Sequence, residues 1–113
     1  MNTKSPECWA SDPQARALRI EISADRSILL PFDQVSFSEL RTDGKEQQLR
    51  LVFAMHEVLI RGHMMRRIEK AMQRLELSAL VTAPERQRMV IPDGQPVVLE
   101  IAVTEARKAE RHT

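Results

Sequence analysis

The chain reads as one α+β domain: a strongly curved antiparallel sheet of about six to seven strands with one amphipathic helix packed on it over about residues 63–77. Three observations predict this. Apolar and polar residues alternate through much of residues 17–61, the period-two pattern of strands with one buried and one wet face. Just past Gly62 the apolar spacing lengthens to that of a helix. After the helix, strand patterns resume on both sides of Pro92-Asp93-Gly94-Gln95, a hairpin by its turn chemistry. A run of strands, one helix and a closing hairpin is an α+β element order. So many strands in a small domain must curl or split.

Residues 1–16 read as a flexible arm, broken by Pro6 and Pro13. Trp9 is its one large apolar side chain and the one with reason to dock on the domain. Leu18, Ile20 and Ile22 then alternate with Arg19 and Glu21. Ala24-Asp25-Arg26 can turn the chain into a second strand over Ser27–Phe32, interrupted at Pro31 because proline has no ladder N–H. Gln34–Arg41 is a third strand, with Val35 and Phe37 expected on one face. Asp43-Gly44 is a turn, since glycine adopts positive φ without a Cβ clash. Gln47–Ala54 and Glu57–Arg61 follow, with Leu49, Leu51, Phe53, Val58 and Ile60 inward.

The helix stripe is Met65, Ile68, Met72 and Leu75, flanked by Met64 and Ala71. Its residues are good helix formers, but no Ser, Thr or Asp caps its start. Ser78–Thr82 reads as a short extended segment. Residues 87–91 and 96–104 form the arms of the last hairpin, with Val97, Leu99, Ile101 and Val103 alternating along the second arm. The domain is expected over 17–104, and the charged residues 105–113 as a disordered tail.

The stretch LRLVFAMHEVLIRG, followed by RRIEKAMQRLEL and closed by IPDGQPVVLEI, resembles a family of small bacterial proteins. That resemblance covers about half the chain and implies no activity. A curved sheet paired with one helix is also similar to pleckstrin-homology-like domains. There the helix ends the domain, whereas here strands follow it.

Composition narrows the function classes. The chain has 113 residues, 42% hydrophobic and 29% charged, suited to a single globular core. Seventeen basic residues against 16 acidic give a net charge of +1, so the molecule as a whole does not attract nucleic acid or anionic lipid. The single cysteine, Cys8, excludes an intramolecular disulfide and fits a reducing compartment. With no apolar leader segment and no apolar run long enough to span a bilayer, a cytoplasmic location is expected, with no membrane partner.

Candidate chemistry is sparse. The foremost candidate is a basic run: Arg61, Arg66, Arg67, Lys70 and Arg74, interrupted by a single acid, Glu69. Positions 66, 70 and 74 recur every four residues and would form a ridge able to meet phosphates. The plainer reading, a solvated helix face, is preferred because no aromatic residues interleave with the bases. His56 and His63 bracket a strand with Glu57, but HExxH is not completed, since position 60 is Ile. Along an extended strand the two histidines would stand ~23 Å apart at about 3.3 Å per residue, too far for one ion. Cys8 lacks an evident base to activate it. Asp25, Asp33, Asp43 and Asp93 could suggest acid chemistry, but three of the four lie next to turns, which explain them, and the three isolated glycines form no phosphate loop.

The expected function is therefore a non-catalytic protein-interaction or self-association domain, with no cofactor or metal. The Met-rich helix, with Met64 beside the inward stripe, adds to the case for a surface that a second copy could cover. The alternative is a nucleic-acid-binding module using the basic helix face. A third class, a ligand or enzymatic site in a sheet–helix crevice, has no converging acid–base or nucleophile set.

Overall fold

The computed structural model describes residues 8–83 and 94–105. Its elements in chain order are β1 (Trp9–Ser11), β2 (Ala17–Ser23), β3 (Arg26–Pro31), a 3-10 turn (Phe32–Gln34), β4 (Val35–Asp43), β5 (Glu46–Phe53), β6 (His56–His63), α1 (Arg66–Gln73), β7 (Leu77–Val81) and β8 (Val97–Glu105). The strands lie in two four-stranded sheets, ordered β1-β7-β2-β3 and β4-β5-β6-β8. This corrects the single, strongly curved sheet of six to seven strands: there are eight strands among the described residues, and neither sheet closes on itself.

The division has a local cause. Pro31 ends β3 because it cannot donate to a ladder, and the 3-10 turn carries the chain into the second sheet. β4, β5 and β6 then form an antiparallel meander, with its first turn at Asp43-Gly44 as expected, and Gly44 at φ +67°. The helix returns the chain to the first sheet. There β7 lies parallel to β2 and antiparallel to β1. Leu18, Ile20, Leu30 and Leu80 from the first sheet meet Leu49, Leu51, Phe53, Val58 and Ile60 from the second in one core, joined by Met65, Ile68 and Met72.

The arm expected over residues 1–16 is a strand in its central part. Trp9 pairs with Leu80 and Ala10 with Ala79, and Cys8 is buried. The Val81 N–H donates to the Cys8 carbonyl at 2.9 Å. A three-residue strand leaves no periodic trace, which is why the sequence pattern missed it. Residues 1–7, the hairpin arm at 87–91, Asp93 and residues 106–113 lie outside the described residues. Glu105, expected to begin the tail, ends β8.

Register shifts alter two expected faces. A bulge between Val35 and Phe37 sets Val35 opposite Phe53 and Phe37 opposite Val52. A one-residue slip reverses the face, so Phe37 points outward and is 50% exposed while Val35 packs against the core. A second shift, between Arg61 and Gly62, sets Val98 opposite Gly62 and buries it. The simple alternation expected over Val97–Val103 therefore breaks at its first turn.

The helix is shorter than the 63–77 expected, and the reason is conformational. Met64 (φ 55°) and Leu75 (φ 57°) both occupy the left-handed region, so they stop the helix on either side. At the C-terminal end the Glu76 N–H donates to the Ala71 carbonyl at 2.8 Å and the Leu75 N–H to that of Met72 at 2.9 Å. This is a Schellman closure, with leucine where glycine is usual. The stripe thus buries Met65, Ile68 and Met72 but leaves Leu75 41% exposed. Since left-handed φ costs a Cβ-bearing residue about 1–2 kcal/mol and Leu75 buries little, Leu75→Gly is expected to raise stability by about 1 kcal/mol. Urea denaturation checks this; a loss of stability would mean that Leu75 contributes through packing.

Candidate functional site

The outward face of the second sheet is assembled by alternation. Opposite the buried Leu49, Leu51 and Phe53, β5 presents Gln48, Arg50 and Val52. Opposite Val58 and Ile60, β6 presents Glu57, Leu59 and Arg61. Phe37 faces Val52 across the strands, and Leu59 faces Ala102 of β8. Phe37 and Leu59 are exposed there, at 50% and 36%. The Arg50 guanidinium lies 5.5 Å from the centroid of the Phe37 ring, a cation–π distance.

Arg50 and Arg61 each sit between two carboxylates. Arg50 bonds Glu57 and lies 3.5 Å from Glu39. Arg61 bonds Glu46 and lies 2.8 Å from Glu100. Both guanidiniums are held above the ordinary arginine value, Arg50 chiefly by its hydrogen bond to Glu57 and Arg61 chiefly by that to Glu100. A raised basic pKa stabilises the fold at all pH below the unfolded value and is lost only in strong alkali, so both bases stay charged across any working range. Exposed ion pairs of this kind contribute little to stability; here the Arg50–Glu57 pair fixes two long side chains between Phe37 and Leu59.

The five residues of the predicted basic run do not come together. Arg61 belongs to the sheet face just described. Arg66, Arg67 and Lys70 lie on α1 and Arg74 caps its end, and all four are exposed. Among the described residues none of these four takes part in an ion pair. Arg67 lies 5.9 Å from the Trp9 ring centroid and donates to Gln95 Oε1 at 3.5 Å. Sequence reading missed Lys45, which the β4–β5 turn brings beside Arg66 and Arg67. Together with Thr42, Gln47, Met64 and Gly94 they line a cleft of about 310 Å³. No sequence signal joins position 45 to position 66; only the hairpin does.

Neither a family model nor a curated protein nor a solved structure matches the chain. The functional reading therefore rests on the geometry.

The remaining candidates stay apart. His56 and His63 occupy the two ends of β6, and His63 Nδ1 is 2.9 Å from the Lys45 carbonyl oxygen. The Cys8 thiol is buried, with its sulfur 4.0 Å from the Pro96 carbonyl oxygen. A second cleft, of about 350 Å³, is lined by Arg41, Asp43 and Glu46, where base and acids offset one another. Among the described residues no helix is long and apolar enough to cross a membrane.

Proposed function

We propose that this protein is a non-catalytic interaction domain that self-associates through the outward face of its second sheet. One observation carries the reading: Phe37 beside Val52, and Leu59 beside Ala102, are exposed on either side of the fixed Arg50–Glu57 pair. Interfaces are enriched in aromatic residues and arginine over the rest of the surface, and this face presents Phe37 with Arg50 and Arg61. The occupant that fits is a second copy. A two-fold dimer sets the same patch against itself, and this patch interleaves arginines with glutamates, so it meets its own image without a large like-charge field. Arg50 and Arg61, each held by two glutamates, keep fixed positions on this face.

Chromatography with light scattering, at two salt concentrations and with and without a nucleic acid, tests this. The wild-type chain is expected to elute as a dimer at high concentration and to be unaffected by nucleic acid. Leu59→Glu should give a folded monomer, because Leu59 is exposed in the single chain. A wild-type monomer at every concentration, with salt-sensitive sub-micromolar nucleic-acid binding, would contradict the proposal and favour the nucleic-acid reading.

A further inference from the structure

The cleft at the start of α1 has a chemistry that the sheet face does not explain. Lys45, Arg66 and Arg67 line it, and no acidic residue is among its described lining. Two of these bases stand where a helix least favours them. Arg66 and Arg67 are the first two residues of α1, at the positive end of its dipole, where cations are destabilising and anions are favoured. Among the described residues no side chain caps that end, and its first turn holds one acid, Glu69, which does not line the cleft; backbone N–H groups of that turn add to the positive potential. The Met65 N–H is held by Gln47 Oε1 at 2.7 Å, which anchors the helix start to β5 and keeps the cleft in shape. Met64, 52% exposed and in the left-handed region, supplies an apolar wall.

We propose that this cleft binds a phosphomonoester of nucleotide size, its phosphate held by Lys45, Arg66 and Arg67 and its body resting on Met64. Binding offsets the repulsion among three bases and the helix dipole together, as arginine forks and helix N-termini do for phosphates elsewhere. The volume lies at the lower end of the ~300–1,000 Å³ typical of small-molecule sites. That size favours a small ligand over a polymer. So does the dispersal of the other bases: Arg61 is engaged by Glu46 and Glu100, and neither Lys70 nor Arg74 is among the described residues lining the cleft. The proposal is independent of self-association.

The test is a two-dimensional NMR titration with AMP as the probe, with inorganic phosphate, adenosine and a single-stranded DNA oligonucleotide in parallel. AMP is expected to shift the amides of Lys45, Arg66 and Arg67. Phosphate should shift the same amides at higher concentration, and adenosine none of them. Lys45→Glu with Arg66→Glu should weaken AMP binding at least tenfold. A glutamate suits the positive end of the helix dipole, so Arg66→Glu is expected to leave the helix intact and loss of binding is separable from loss of fold; Lys45→Ala alone should weaken binding as a second check. Absence of shifts with both AMP and phosphate would overturn the proposal. So would AMP binding unchanged in the double variant, or oligonucleotide binding that requires Lys70 and Arg74 but not Lys45.

Discussion

Gly62→Ala is expected to be among the most damaging single-methyl additions in this chain. A Cβ at position 62 would fall on the Val97 carbonyl oxygen, with the Val97 carbonyl carbon at 3.1 Å and the Met65 sulfur at 3.2 Å. The obstructing atoms are mainly backbone, so no rotamer change relieves the clash. β6 and β8 would have to separate where their register already shifts. Overpacking typically costs about 1–3 kcal/mol and more where nothing can move; about 3 kcal/mol or more is expected, against roughly 5–15 kcal/mol of total stability for a domain. Gly44→Ala is the control. Gly44 has positive φ but nothing within 4 Å of a built Cβ, so only the backbone penalty of about 1–2 kcal/mol applies. Urea denaturation should show Gly62→Ala as clearly the worse of the two. Equal losses would mean that β8 does not approach β6 as described.

Ile68→Asp is expected to unfold the domain. Ile68 is fully buried between the two sheets' shared core and the helix, and no buried polar or charged residue is present among the described residues to pair with a carboxylate. Burying a charge without a partner costs several kcal/mol, and a polar replacement also removes the apolar contact. Ile68→Val keeps that contact and should cost only about 0.5–1.5 kcal/mol. Circular dichroism on heating separates the outcomes: loss of the cooperative transition for the aspartate variant and a modest downward shift for valine. An unchanged melting temperature for Ile68→Asp would contradict the buried face assigned to α1.

The sequence made the individual strands legible because alternation at Leu18–Ile20, Leu49–Phe53 and Val58–Ile60 reports which residues face the core. It did not make their assembly legible. Whether seven or eight strands form one sheet or two depends on which non-adjacent strands pair, and the parallel β2–β7 contact joins positions about sixty residues apart. The bulge at Val35/Phe37 is invisible to alternation, yet it turns Phe37 outward and sets it beside Val52 on the sheet face. The helix ends were misjudged for a related reason: Met64 and Leu75 are not glycine or asparagine, so nothing in their chemistry announces a left-handed stop. The basic run was legible as residues but not as a site. Strand geometry sends Arg61 to a different surface, and the hairpin brings Lys45 in its place.

Self-association through the second sheet is most directly tested by isotope-filtered NMR on a mixture of labelled and unlabelled chains. The account predicts intermolecular contacts from the Phe37 ring to the methyl groups of Val52 and Leu59, abolished in Leu59→Glu. Contacts arising instead from Leu29 on the first sheet, or none at millimolar concentration, would contradict it.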